Sequence, residues 1–182
     1  MLQQTIDKST PVSLAIFHQT GVRTNTNSSV NDNLFFGDSI TTFKHRFIHR
    51  LDHNTQLIIS KAFNENLSLQ LAPTLVYHNL IVGQKKSHHT FIIPFSGRYQ
   101  YSFGSAVLFE YAFKLNNTTK TALDNPFSVG FEFGTVGHVF QIFISNSYYI
   151  RESNIYTIEP LNFYDSPHSF VFGFNIRRVW WF

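Results

Sequence analysis

The sequence predicts an all-β protein, an up-and-down antiparallel transmembrane β-barrel with about eight strands in this chain. Three observations lead to this prediction. Apolar residues alternate with polar or small residues along most of the chain, and short turns alternate with long loops. Charged residues make up only 14% of the 182 residues, whereas aromatic residues make up 17% and include 21 phenylalanines. This composition suggests a large surface that water does not solvate.

The alternation defines the predicted strands, and no segment has a helical stripe. The strands are predicted at residues 11–22, 44–63, 67–78, 88–101, 104–114, 126–133, 138–147 and 168–182, within a single domain over residues 1–182. Four strands show the apolar face most clearly. It holds Leu67, Leu69, Leu71, Leu75 and Tyr77 in 67–78, and Val107, Phe109, Tyr111 and Phe113 in 104–114. It holds Phe127, Val129, Phe131 and Phe133 in 126–133, and Phe170, Phe172, Phe174, Ile176, Trp180 and Phe182 in 168–182.

The connections between these segments alternate in length. Short turns are expected at Asn64–Asn66, Ser102–Gly104 and Gly134–Gly137, and long loops around residues 27, 85, 117 and 153. Bacterial outer-membrane barrels have short periplasmic turns and long outer loops. The rhythm therefore favours a bacterial outer-membrane location, with the chain's end on the periplasmic side.

Two prolines conflict with uninterrupted strands. Pro73 and Pro94 fall inside predicted strands, where each removes a backbone donor. A closed barrel has no edge strand to accommodate them. We expect a bulge or a local break in the pairing at each proline.

The alternation does not by itself say which face is inside, because a soluble lipocalin-like barrel also has about eight strands. Small and polar residues on the second face suit a hydrated lumen, and rings near strand ends suit an aromatic girdle at each interface. We therefore predict lipid contact for Phe109, Phe127, Phe131, Phe172 and Phe174. The predicted lumen-facing polar residues are Arg98, Glu110, Lys114, Glu132, Asn175 and Arg177. In a barrel of eight strands such residues fill the interior rather than line a pore.

The chain ends on an aromatic strand, which is unusual for a soluble domain. An alternating apolar strand with a final phenylalanine resembles the signal that directs outer-membrane barrels to their assembly machinery. Trp180 and Phe182 are the predicted signal residues, and Arg178 interrupts the apolar face close to the interface.

Several stretches resemble one family. "SVGFEFGTVGHVFQIFISNS" (128–147) and "FVFGFNIRRVW" (170–180) resemble the end of a Bacteroidota β-barrel family, domain of unknown function 5777. Members carry Gly-Gly-His-Val-Phe-Gln before Thr-Asn-Ser, where this chain has Val136 and Ser145 as departures. "QLIISKAFNENLSLQLAPTLVYHNL" (56–80) and "TPVSLAIF" (10–17) are similar to two further blocks. The resemblance leaves two alternatives open, a complete barrel of about eight strands or the C-terminal part of a larger barrel, and it transfers no catalytic or binding residue.

Chemistry-bearing motifs are sparse. His45, His49 and His53 recur every four residues and are weak candidates for metal ligands, because Arg46 stands where a zinc-protease helix has its glutamate. There is no G-x-S-x-G nucleophile motif, so no catalytic residue is predicted. The scattered basic residues exclude a nucleic-acid interface. No cofactor is expected, and any small-molecule ligand is unknown.

The sequence leaves three functions open. The favoured hypothesis is a non-enzymatic integral outer-membrane barrel with a structural, anchoring or solute-passage role, whose partners are membrane lipid and the barrel-assembly machinery. The first alternative is a soluble lipocalin-like barrel that binds an apolar ligand inside. The second is a barrel enzyme that modifies lipid.

Overall fold

The fold is given by a computed structural model. It describes residues 12–24, 46–79, 88–115, 125–157, 161 and 170–178, together with the backbone of three two-residue strands near the N-terminus. The strands are β1 (Leu2–Gln3), β2 (Ser13–Val22), β3 (Leu34–Phe35), β4 (Thr42–Phe43), β5 (Leu51–Ala62), β6 (Leu67–Leu71), β7 (Thr74–His78), β8 (His89–Ser102), β9 (Ser105–Lys114), β10 (Phe127–Gly134), β11 (His138–Ser145) and β12 (Val171–Arg178). A 3₁₀ turn (Phe47–Arg50) precedes β5, and a short helix α1 (Glu152–Thr157) precedes β12.

One antiparallel sheet contains ten of these strands. Its order is β1-β2-β5-β6-β8-β9-β10-β11-β12, and β7 continues the path of β6 between β5 and β8. Sequential strands are thus neighbours in space, which confirms the predicted all-β, up-and-down arrangement. Within the described ranges, β1 and β12 are the two ends of this order. Strands β3 and β4 pair with each other in a separate small sheet.

The predicted strand 67–78 is interrupted at Ala72 and Pro73, where β6 ends and β7 begins. The register does not shift there, because Leu71 pairs with Phe95 and Thr74 with Ile92. Ala72 N–H donates to the Pro94 carbonyl at 2.9 Å, and Pro94 has no N–H to return that bond.

The Ala72 carbonyl, which Pro94 leaves without a backbone donor, accepts a hydrogen bond from the Thr74 hydroxyl at 2.6 Å. The expected local break in pairing is therefore present opposite Pro94, and a side chain compensates for the missing donor.

The predicted strand 44–63 is wrong at its start, because residues 47–50 form the 3₁₀ turn and β5 begins at Leu51. The cause is local hydrogen bonding that competes with the sheet ladder. Arg46 N–H donates to His49 Nδ1, and His49 N–H donates to the Arg46 carbonyl, each at 3.0 Å. Helix α1 was also absent from the prediction.

The described bounds of the other predicted segments lie within two residues of the prediction, except in the last segment. There β12 covers residues 171–178, and the predicted assembly residues Trp180 and Phe182 lie outside the described residues.

The three short turns lie at the same rim of the sheet, called here the short-turn rim. Gly134 N–H donates to the Gly104 carbonyl, and Gln100 N–H donates to the Asn66 carbonyl at 2.8 Å. Gly104 has a φ of 72°, in the left-handed region that favours glycine, so it allows the tight connection of β8 to β9. The long connections consequently leave from the opposite rim, called here the long-loop rim.

Candidate functional site: the inner face and its plug

In a soluble protein the apolar side chains of a sheet are buried and the polar side chains are exposed. Many side chains of this sheet show the reverse. Asn54 and Asp52 on β5 are 0% and 2% exposed, whereas Phe172 on β12 and Ile16 on β2 are 75% and 67% exposed. At these positions polar side chains point into the molecule and apolar side chains point out. In the part of the chain that the structure describes, no helix has the length and apolarity needed to cross a membrane.

The five phenylalanines predicted to contact lipid all lie on the outer face. Phe131, Phe172 and Phe174 are 48%, 75% and 74% exposed. Phe109 and Phe127 are half-buried on the same face, because neighbouring rings cover them. Phe109 packs against Phe95 with ring centroids 5.5 Å apart, and Phe127 against Phe170 at 5.9 Å. Their contact with lipid remains a prediction.

Phe109 also covers Gly97 on the neighbouring strand. A Cβ built on Gly97 would meet the Phe109 ring at 2.4 Å and Leu69 Cδ2 at 2.8 Å. Only glycine allows this approach, so Gly97 lets the ring lie flat across the strand. The contact gives the outer face a continuous apolar surface at this point.

The sheet curls around a cavity of about 450 Å³. The cavity is lined by residues from β5, β6, β8, β9, β10, β11 and β12, so these strands surround one space. Its polar lining residues are Ser60, Ser68, Gln70, Ser96, Arg98, Glu110, Ser128, Gln141 and Asn175. This polar, curled inner face has the character expected of a lumen.

Helix α1 and the residue before it close the long-loop side of the inner face; we call residues 151–157 the plug. Arg151 forms an ion pair with Asp52, whose side chain is 3% exposed. The Glu152 carboxylate accepts hydrogen bonds from the side-chain amides of Asn54 at 2.9 Å and Gln56. His78 and Thr157 are hydrogen-bonded at 3.1 Å. The plug is thus held by β5 and β7 through charged and amide groups.

The plug also supplies the largest side chain of the small apolar core. Tyr156 is 4% exposed and packs with Val76, Ile92 and Ala112. Burial raises the pKa of the Tyr156 hydroxyl well above its ordinary value, and the negative charge of Glu110 and Glu152 raises it further. Tyr156 therefore stays neutral and acts as a packing group beneath the plug.

A second polar network crosses the inner face closer to the short-turn rim. Arg98 on β8 donates from Nε and Nη2 to Glu132 Oε1 at 3.0 and 2.9 Å. Gln141 Nε2 donates to the other Glu132 oxygen at 2.8 Å, and Asn175 Nδ2 donates to Gln141 Oε1 at 3.3 Å. The network joins β8, β10, β11 and β12. It spans β9 at Ala106, whose small side chain is fully buried beneath it.

The predicted lumen-facing residues thus lie on the inner face, in different layers. Arg98, Glu132 and Asn175 meet in the network, and Glu110 lines the cavity between the network and the plug. Lys114 is 8% exposed at the long-loop end of β9. Arg177 is exposed near the short-turn rim.

Two of the three candidate metal ligands, His49 and His53, lie within the described residues. His45 lies outside the described residues, His49 belongs to the 3₁₀ turn, and His53 points outward from β5 and is hydrogen-bonded to Thr20 at 3.1 Å. Among the residues described, no group of three metal-ligating side chains comes together. The four-residue spacing of His49 and His53 does not put them on one face of a helix or strand, because His49 lies in the 3₁₀ turn and His53 in β5.

Sequence reasoning missed the residues that hold the plug. Asp52, Asn54 and Gln56 share the inner face of β5, but every residue of "LDHNTQ" after Leu51 is polar, so the sequence gives no alternation that separates them from His53 and Thr55. Arg151 and Glu152 give no signal either. They belong to a long loop, and only the three-dimensional structure places them against β5.

Comparison with known proteins is consistent with this architecture. A family model described as a membrane-bound β-barrel domain, domain of unknown function 5777, matches residues 1–180. No curated protein and no solved structure was found to match the chain.

Proposed function

The chain belongs to the family of membrane-bound β-barrel domains known as domain of unknown function 5777, and from that membership we propose a specific role. The protein is an integral barrel of the bacterial outer membrane without enzymatic activity. Its interior is filled rather than open, and its role is structural or anchoring.

The observation that carries this proposal is the inverted burial of the sheet. Ile142 and Phe174 are paired neighbours in the middle of β11 and β12, and they are 53% and 74% exposed. Burying such side chains in an apolar phase is favourable by about 25 cal/mol per Å². A lipid bilayer provides that phase without any partner protein.

The location in the outer membrane is supported by topology. The described strands of the main sheet are antiparallel neighbours, three short turns share one rim, and the long connections leave from the other. This is the pattern of outer-membrane barrels, whose short turns are periplasmic. We therefore propose the barrel-assembly machinery as a partner during insertion.

The filled interior is supported by the plug and by the Arg98–Glu132 network. They occupy different levels of the inner face, so a solute would have to pass both. A passing solute would have to break the Arg151–Asp52 or Arg98–Glu132 ion pair. Leaving one of these partly buried charges without its partner costs free energy. A structural or anchoring barrel needs no open path.

Solute passage is the second candidate, and the cavity of about 450 Å³ favours it. Conductance in planar bilayers separates the two. The purified full chain should show no steady conductance, and the triple variant Arg98→Ala/Arg151→Ala/Glu152→Ala should show channel openings because the network and the plug both lose their contacts. Asn175→Ala is the control, since it leaves the plug intact. A wild-type chain that conducts steadily would support solute passage.

The soluble lipocalin-like alternative fits poorly, since a soluble barrel places its polar side chains in water, whereas here Asp52 and Asn54 are buried and Ile16 and Phe172 are exposed. Detergent dependence tests it directly. The membrane barrel should aggregate when detergent is removed, and a chain that stays monomeric in buffer would contradict the proposal. A lipid-modifying enzyme would instead show lipid hydrolysis that is lost on replacing particular serines and histidines.

A further inference from the structure

Three arginines lie at the long-loop rim, Arg23, Arg46 and Arg50, and we call them the arginine patch. Arg23 follows β2, and the other two flank or end the 3₁₀ turn before β5. Two hydrogen bonds hold the segments together: Arg23 N–H donates to the Arg50 carbonyl at 2.9 Å, and Arg50 Nε donates to the Arg23 carbonyl at 2.6 Å. The patch is thus a structured feature of the rim.

The positive charge of the patch is not neutralised by the described part of the protein. The ion pairs there are Arg98 with Glu132 and Arg151 with Asp52. Asp52 lies close to the patch in sequence, but its carboxylate points inward to Arg151. Arg23 and Arg46 are exposed. Their guanidinium groups are therefore available to an anion from outside.

Apolar side chains accompany the arginines. Phe47 and Ile48, within the 3₁₀ turn, are 63% and 55% exposed. Exposed apolar residues next to cationic residues are characteristic of segments that lie in the interface of a membrane. A soluble anion would use the arginines alone and would leave Phe47 and Ile48 in water.

The outer face just below the patch carries polar rings. Thr20 Oγ1 is hydrogen-bonded to His53 Nδ1 at 3.1 Å and to His18 Nε2 at 3.3 Å. The rings of His18, His53 and Tyr77 follow one another at centroid distances of 6.0 and 6.4 Å. Tyrosine rings favour the headgroup level of a bilayer, and the two polar imidazoles beside Tyr77 would also be poorly solvated in the hydrocarbon region. Further along the same strands the outer face becomes aliphatic, at Ile16 and Leu57.

We propose that the arginine patch binds the headgroup of an anionic, phosphate-bearing lipid in the leaflet at the long-loop rim. The guanidinium groups contact the phosphate, Phe47 and Ile48 lie against the lipid's apolar part, and the ring belt of His18, His53 and Tyr77 lies at the glycerol level. This inference rests on the proposed membrane function, since it requires the outer face to be in lipid.

The test uses the full chain in dodecyl maltoside micelles, with phosphatidylglycerol as the probe. Bound lipid is counted by native mass spectrometry, and the dissociation constant is obtained by titration. The double variant Arg23→Gln/Arg46→Gln removes two charges but keeps the Arg50 hydrogen bond. The matched control Lys61→Gln/Arg178→Gln removes two charges at the short-turn rim.

A basic residue near an anionic membrane surface contributes about fivefold to binding, so the patch variant should weaken phosphatidylglycerol binding by about 25-fold. The control should bind as the wild type does, and phosphatidylcholine should bind more weakly than phosphatidylglycerol. Equal loss in both variants, or equal binding of the two lipids, would overturn the inference.

A fourth arm uses soluble sn-glycerol 3-phosphate. The inference predicts that it binds far more weakly than the lipid, and binding of equal strength would show a soluble-phosphate site instead. If only the lipid site is wrong, the chain still aggregates when detergent is removed. If the membrane proposal is wrong, the chain stays soluble without detergent. The two outcomes are therefore distinguishable.

Discussion

Replacing Phe131 with arginine tests whether the outer face is in lipid. Phe131 lies in the middle of β10 and pairs with Ile142, in a row of outer-face residues. Phe133 lies on the same strand and the same face but close to the short-turn rim. The two side chains are 48% and 40% exposed. They therefore lose similar packing on substitution and differ mainly in their depth.

The expected magnitudes follow from that depth. Phe131 is three residues from Gly134 at the rim, which is about 10 Å along an extended strand. Arginine on the lipid face costs about 2–4 kcal/mol at the bilayer midplane and about 0–1 kcal/mol near the interface. Phe131→Arg should therefore destabilise the protein by about 2 kcal/mol more than Phe133→Arg.

The assay is reversible urea unfolding in phospholipid vesicles, with the free energy of unfolding extrapolated to zero denaturant for wild type and both variants. In water, surface substitutions usually change stability by no more than about 0.5 kcal/mol. Equal free energies for Phe131→Arg and Phe133→Arg would show that depth does not matter. The outer face would then be in contact with water or protein rather than with lipid.

Three further predictions concern the plug, the topology and assembly. Arg151→Met should destabilise the protein by about 3 kcal/mol in the same unfolding assay, because it leaves the buried Asp52 carboxylate without its cation. Adding Asp52→Asn should restore part of this loss. An unfolding midpoint of Arg151→Met equal to that of the wild type would contradict the structural role of the pair. A single cysteine at Ile150, which is 97% exposed, should react with an impermeant reagent on intact cells, whereas one at Gly104 should not, and the reverse result would invert the topology. Deleting Phe182 should reduce insertion in cells far more than stability after refolding in detergent, and equal losses would leave it as an ordinary packing residue.

The strands of the sheet could be predicted because each one obeys a local rule. In β10 the alternation of Phe127, Val129, Phe131 and Phe133 with Ser128, Gly130 and Glu132 defines both a strand and its two faces. Pro73 predicted the interruption between β6 and β7, since a missing N–H affects pairing wherever the residue lies. Such signals depend only on neighbours in the chain.

The plug could not be predicted, because it depends on contacts between distant segments. Arg151 and Asp52 are 99 residues apart, and Glu152 and Gln56 are 96 apart. Nothing in the local pattern around α1 shows that its polar side chains enter the inner face. The 3₁₀ turn was missed for the opposite reason, because a very local bond between Arg46 and His49 competes with the strand pattern.

The central claim is that the apolar face of the sheet meets lipid and that the polar face is turned away from lipid, toward the interior. Adjacent residues of β12 test it most directly, since Phe174 and Asn175 point to opposite faces and are both exposed. The chain has no native cysteine, so single cysteines at these positions carry a nitroxide label without background. In vesicles, the label at Phe174 should collide with oxygen in the lipid, and the label at Asn175 should collide with a water-soluble nickel reagent. The reverse pattern of collisions would contradict the account.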